Sequence, residues 1–201
     1  MAIMRSEIKS GGGGDWLGIK TGKIVNITDD SSKWSWADVY LNVEFEVEGS
    51  QYPRVMKIAG SFDREADGRI KDCTLLKRIT FFLDALGEQG GVNQDGKWET
   101  EDGQPISNIC DHLNKYCGVN LTIFIFKELS KNGQAYTRVH NKVLPVSAGS
   151  EKELESYIEF LRSKGFLKEA PEDMSKPANN VVMNGTDSEN FDASGISVEN
   201  L

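Results

Sequence analysis

The stretch Asp38-Val39-Tyr40-Leu41-Asn42-Val43-Glu44-Phe45-Glu46-Val47 alternates without a break. Val39, Leu41, Val43, Phe45 and Val47 fall on one side and Asp38, Tyr40, Asn42, Glu44 and Glu46 on the other, the period of two that buries one face of a β-strand and wets the other. Before it, Gly18 to Thr28 carries Ile19, Ile24, Val25 and Ile27 and closes at the turn cluster Asp29-Asp30-Ser31-Ser32. After it, the Glu48-Gly49-Ser50 turn leads to a third strand, Tyr52 to Phe62, in which Pro53 is tolerated at the start or on an edge.

Beyond Phe62 the period changes. Leu75, Leu76, Ile79, Phe82, Leu83 and Leu86 form one helical stripe, with Asp72 as the expected N-cap and Gly87 as the stop. Residues 88–105 read as a polar loop, and Ile106 to Tyr116 as a short helix carrying Ile109, Leu113 and Tyr116. Leu121 to Phe126 and Ala135 to Val143 read as strands four and five of a hairpin, because Asn132-Gly133 suits the positive φ of a tight turn. Ser150 and Glu153 make a capping box ahead of a third helix with Leu154, Tyr157, Ile158 and Leu161, ending at Gly165.

The ends differ from this body. The run Gly11 to Gly14 marks 1–15 as a flexible arm. From 169 to 201 an acidic tail poor in large apolar residues is expected to be disordered, since it cannot repay its ordering entropy. The expected domain therefore spans 16–168. Of the formal charge of −8, most lies in the last quarter: 18 basic against 20 acidic residues through 148, but 5 against 11 after it.

A chain of 201 residues with 38% apolar and 9% aromatic residues can build one core. Three cysteines are an odd, sparse set that fits reduced thiols in a cytoplasmic protein, host cytoplasm if phage-encoded. Cys110 and Cys117 read as packed structural thiols rather than zinc ligands with His112, and the sequons at Asn26, Asn120 and Asn184 carry no weight without secretion. No membrane span or secretory leader is expected.

Three strands, a helix and a two-strand hairpin follow the order of the five-stranded Greek-key barrel called the OB-fold, with a helix between strands three and four. The fold expectation is therefore a mainly β (α+β) OB-like barrel with an extra C-terminal helix and a disordered tail. Together with Lys77-Arg78-Ile79-Thr80-Phe81-Phe82-Leu83-Asp84-Ala85-Leu86-Gly87 and Gly133-Gln134-Ala135-Tyr136-Thr137-Arg138-Val139, this layout resembles the single-stranded-DNA-binding proteins of bacteria and phages, particularly small phage-encoded members. The resemblance implies a protein that coats exposed strands during replication, recombination or repair and recruits partner proteins through its tail. Phe191, Asp192, Glu199 and Leu201 are the expected partner contacts, although the tail tip is less densely acidic than the bacterial type.

Binding single strands needs cations for phosphates and aromatic faces for bases. Segments 16–28, 52–62 and 129–148 hold Lys20, Lys23, Arg54, Lys57, Lys131, Arg138 and Lys142 and no acid. In an OB-fold strands three and five are neighbours, so the last two segments should merge into one positive surface. Lys33, Trp34, Trp36 and Tyr40 lie in or beside the first hairpin loop, which commonly clamps ligands in such domains, and Tyr52 and Tyr136 are further stacking candidates. The bland alternatives are tryptophans plugging one barrel end and ordinary solvated strand faces.

Catalytic chemistry does not assemble. Asp63, Glu65 and Asp67 imitate a calcium loop whose twelfth position would be Thr74 instead of Glu. His112 and His140 lie in no nucleophile, metal or phosphate-loop motif, and Gly11 to Gly14 lacks the flanks of a Walker loop. The expectation is a non-enzymatic protein without metal or cofactor. A phage structural or assembly protein-binding module is the alternative, a metal-dependent nuclease the less favoured one, and a homo-oligomer stays open.

Overall fold

A computed structural model describes residues 16–130 and 132–170. The arm 1–15, Lys131 and the segment 171–201, with Phe191, Asp192, Glu199 and Leu201, lie outside the described residues. The described residues fold as a mainly β body with three α-helices, built on a six-stranded antiparallel sheet. Its strands are β1 (Gly18–Asp29), β2 (Val39–Val47), β3 (Arg54–Gly60), β6 (Asn120–Leu129), β7 (Ala135–Val139) and β8 (Leu144–Pro145); the short pair β4 (Gly91–Val92) and β5 (Trp98–Glu99) stands apart. The order is β3-β2-β1-β6-β7, with β8 on β6.

β1 is long enough to serve both halves: its first residues pair with β6, from Gly18 opposite Ile125 to Lys23 opposite Asn120, and its later ones with β2. A bulge between Ile24 and Asn26 resets the alternation, so Ile24 and Ile27 both point inward although an odd step separates them, while Val25 is pushed out. Where the strand bends, Gly22 lies so close to the core that a Cβ would stand 2.6 Å from Ile123 Cδ1 and 3.2 Å from Phe45 Cβ. Only glycine leaves that approach open.

β2 fulfils its pattern: Val39, Leu41, Val43, Phe45 and Val47 are buried, and Phe45 has no exposed surface. β6 is buried on both faces. Leu121, Ile123 and Ile125 enter the main core, while Phe124 and Phe126 lie under α3 (Ser150–Ser163) with Leu154 and Ile158, which explains its nearly unbroken apolar run. β7 is shorter than expected, because the chain leaves the ladder after Val139 and returns only as β8.

Two caps differ from expectation. α1 (Thr74–Leu86) starts after Cys73, and Asp72 meets Lys77 at 3.4 Å instead of capping; Gly87 closes the helix with φ 71°. At α3, Gly149 takes the cap position, while Ser150 is buried and donates to the Pro145 carbonyl at 2.5 Å. The expected second helix shrinks to α2 (Ile109–Leu113), capped by the Asn108 side chain, plus a 3-10 turn at Asn114–Tyr116. Among the cysteines Cys73 is buried and the half-buried Cys110 packs against the main core, whereas Cys117 is exposed, so the packed-thiol reading fails for Cys117.

Glu88 pins this insertion to α1. Its carboxylate accepts from His112 Nε2 (3.1 Å), Tyr116 Oη (2.8 Å) and the Gly90 amide (3.1 Å), and meets Lys115 Nζ at 2.8 Å. The body also extends past the expected boundary at 168. Arg162 grips Glu169 with two bonds of 2.6 and 2.7 Å, and Ala170 N donates to the Lys127 carbonyl at 2.7 Å. Among the described residues no helix is long and apolar enough to cross a membrane.

Candidate nucleic-acid interface

The loop between β1 and β2 is tied down by its own short polar residues. Asp30 N donates to the Tyr40 carbonyl and Tyr40 N to Ser31 Oγ, both at 2.8 Å, while Ser31 N donates to Asp29 Oδ1 at 2.8 Å. Asn42 Nδ2 reaches Asp30 Oδ2 at 3.2 Å, Ser61 Oγ donates to the Trp36 carbonyl, and Asp38 Oδ2 accepts from Phe62 N at 2.7 Å. This frame gathers the loop aromatics. Trp34 stacks on Tyr40 with ring centres 5.6 Å apart, Trp36 stands edge-on to Tyr40 at 5.9 Å, and the two indoles are 6.3 Å apart. Lys57 of β3 lies over the Tyr40 ring at 5.8 Å.

Such a cluster offers an aromatic platform with a cation at its edge, the chemistry that stacks a base while neutralising its phosphate. The rings are half-buried, so the platform braces the loop and keeps a surface in solvent. Lys33 adds less, since its ammonium meets Asp30 at 2.8 Å.

The other predicted cations do not form one continuous track, because alternation along each strand sends neighbours to opposite faces. Lys57 points outward, whereas Arg54 shares the parity of Met56 and Ile58; its guanidinium stacks on Trp16 at 3.7 Å and its Nε is buried with no acceptor among the described residues. Lys20 likewise shares the parity of Gly22 and Ile24, while Lys23 points outward and pairs with Glu46 at 2.5 Å. Lys142 is drawn into the packing between helices, 4.7 Å from the Phe81 ring and 3.6 Å from Glu153. It leaves the surface that the acid-free segment 129–148 promised.

β3 and β7 approach each other at the two ends of the sheet without sharing a ladder. Arg78 of α1 ties the helix to β3 by donating to the Ala59 carbonyl at 3.2 Å. Sequence reading left Arg78 out, although its place three residues after Leu75 put it beside the buried stripe. On β7 the exposed Tyr136 lies 5.8 Å from the Arg138 guanidinium, whose Nε bonds Glu128 at 3.0 Å. Tyr52 is two-thirds exposed in the β2–β3 turn, away from the cluster.

The chain matches no family model and no curated protein.

Beside Phe126 of β6 and Tyr157 of α3 lies a titratable group with a structural consequence. Burial pushes His140 down to about 4, and its Nδ1 accepts the Lys142 amide at 2.9 Å. An imidazole that protonates near 6.5 when unfolded and near 4 when folded binds its proton preferentially in the unfolded chain between those values. Stability is thus intact above pH 6.5 and falls as the pH drops toward 4, by on the order of 3 kcal/mol. Glu88 adds a second loss at lower pH: burial opposes its charge, but its four donors hold it at about 2 against an ordinary 4.5. Urea midpoints between pH 7 and pH 4 should show the decline, and His140→Gln should flatten it above pH 4.5. An unchanged slope in that variant would clear His140 of the effect.

Proposed function

We propose that the chain is a non-catalytic single-stranded-DNA-binding protein with an OB-type barrel. The strand order β3-β2-β1-β6-β7 is the OB order, and the approach of β3 to β7 supports closure across that seam. The observation that carries the reading is the Trp34-Trp36-Tyr40 platform with Lys57 at its edge, held in the first hairpin loop. Bases stack on the platform, Lys57 and, by exchanging Glu128 for a phosphate, the half-buried Arg138 take phosphates, and Tyr136 offers a second face. The protein coats exposed strands during replication, recombination or repair, and the acidic segment after Ala170 recruits partners and competes with DNA for the cations.

Titrating an oligonucleotide into the protein at low salt should quench tryptophan fluorescence. Affinity should then fall with salt, with a log–log slope of about −0.7 for each phosphate neutralised, so two to four contacts give roughly −1.5 to −3. Absence of quenching at low salt would sink the reading.

A protein-binding module is the second reading, and the ion pairs favour it: Lys23, Lys33, Arg138 and Lys142 all face carboxylates. It requires a stoichiometric protein partner and no oligonucleotide binding.

A further inference from the structure

Phe160 and Phe166 are the exposed phenylalanines among the described residues, 49% and 52% open to solvent. They lie at one end of α3: Gly165 takes φ 69° and the Phe166 amide donates to the Leu161 carbonyl at 2.9 Å, the reversal that returns the chain to the last helical turn. Ser156 and Ser163 flank Phe160 one turn before and one turn after it. Their hydroxyls are bonded to their own helix, Ser156 to the Lys152 carbonyl at 2.9 Å and Ser163 to the Phe160 carbonyl at 2.8 Å, so Phe160 rises between two low positions with no donor left over. Exposed charges border the strip, Glu159 on one side and Lys164 on the other. The ion pairs of α3 join Glu153 to Lys142 and Arg162 to Glu169; among the described residues Glu159 and Lys164 form none.

We infer that this face of α3 is the contact between two copies of the chain, packed helix to helix in parallel about a twofold axis. Such a contact needs a surface that complements itself. Ser156, Phe160 and Ser163 have the four-three spacing of a helical seam, in which each residue of a parallel pair meets its own counterpart. In that arrangement the residue before Phe160 and the residue five positions further on bridge between the helices, and these are Glu159 and Lys164. Symmetry forms the bridge twice, Glu159 of each copy to Lys164 of the other, while the Phe160 rings leave water between the low serines. The seam is only about two helical turns long, well short of the roughly 800 Å² per partner of a standard interface, so the dimer is weak, with a Kd on the order of 10⁻⁴ M. A partner of other chemistry would not require an acid and a base at this spacing. None of the platform residues lies in the contact, so it stands whether or not the chain binds DNA.

Sedimentation equilibrium of the full chain at low salt, from about 10 to about 500 μM, should show the weight-average mass climbing from 22.3 kDa toward twice that value. Glu159→Lys sets two lysines against each other at both bridges, and Lys164→Glu two acids, so each alone should weaken association about tenfold. An equimolar mixture of the two should associate as wild type does, because each bridge then joins opposite charges. Phe160→Ser should weaken association by a similar factor and leave the circular-dichroism spectrum unchanged. A wild type that stays at 22.3 kDa throughout, as when the chain after Ala170 or another protein covers this face, would overturn the inference. So would association that ignores the charge reversals, a mixture no tighter than its components, or a mass that rises beyond the dimer. Should either reversal lose its circular-dichroism spectrum, Glu159→Gln and Lys164→Gln, which remove the attraction without adding repulsion, are read for the same direction of change.

Discussion

Replacing Phe45 with alanine is expected to remove about 3–5 kcal/mol of stability, the usual cost of emptying a fully buried aromatic site. Phe45 has no exposed surface, and its ring and Cβ lie against the place where Gly22 lets β1 approach. Across the ladders it stands opposite Ile24 on one side and Arg54 on the other, so three strands meet around it. Because these strands are held by many contacts, the cavity cannot collapse cheaply. A domain of this size holds about 5–15 kcal/mol in total, so the variant should lie near the edge of folding. Urea unfolding should show a lower midpoint at unchanged slope, while Phe160→Ala, on a residue about half exposed, should stay within about 0.5 kcal/mol of wild type. A loss below about 1 kcal/mol for Phe45→Ala would mean that the core repacks around the gap.

The elements were readable from sequence wherever one face alone decides the pattern. β2 alternates for its whole length, and the stripe Leu75-Ile79-Phe82-Leu83 announces α1. Pattern failed where another contact overrode it. The bulge after Ile24 breaks the alternation of β1, a feature that depends on the partner strand and not on residue type. Ser150 looked like a cap, yet burying its hydroxyl on the Pro145 carbonyl makes better use of it than an exposed helix end. The insertion was harder still: a two-residue ladder such as Val92 opposite Trp98 is too short to have a period.

For the candidate site, residue type was legible and direction was not. The loop aromatics are close in sequence and a turn brings them together, so Trp34, Trp36 and Tyr40 were findable as a group. The cations are spread over separate strands, and which way each points follows from registers that only the assembled sheet defines. Arg54 and Lys57 are three residues apart and stand on opposite faces. Ser31, Asp38 and Asn42, which hold the loop, carry no signal beyond being short polar residues near a turn, although that is the chemistry by which turns are fixed.

Removing the platform itself should have the largest effect on binding. Each base stacked on an aromatic ring contributes about 1–3 kcal/mol, so Trp34→Ala/Trp36→Ala is expected to weaken oligonucleotide binding by about 30-fold to 10⁴-fold. The two losses should not add strictly, because the indoles touch each other and share Tyr40. Tyr40 loses its stacked neighbour in the same step, and Lys57 then leans on a ring with more freedom. Affinity is best read by anisotropy of a labelled strand, since the substitution removes two of the four tryptophans. The remaining pair reports separately: Trp98 packs against the core and Trp16 lies under Arg54, so ligand should leave their emission unchanged. Trp34→Phe/Trp36→Phe keeps two faces for stacking and should recover most of the affinity, which a purely electrostatic surface would not require. If the alanine pair binds as tightly as wild type while remaining folded, the cluster serves to brace the loop, and the phosphate contacts of β3 and β7 carry the binding alone.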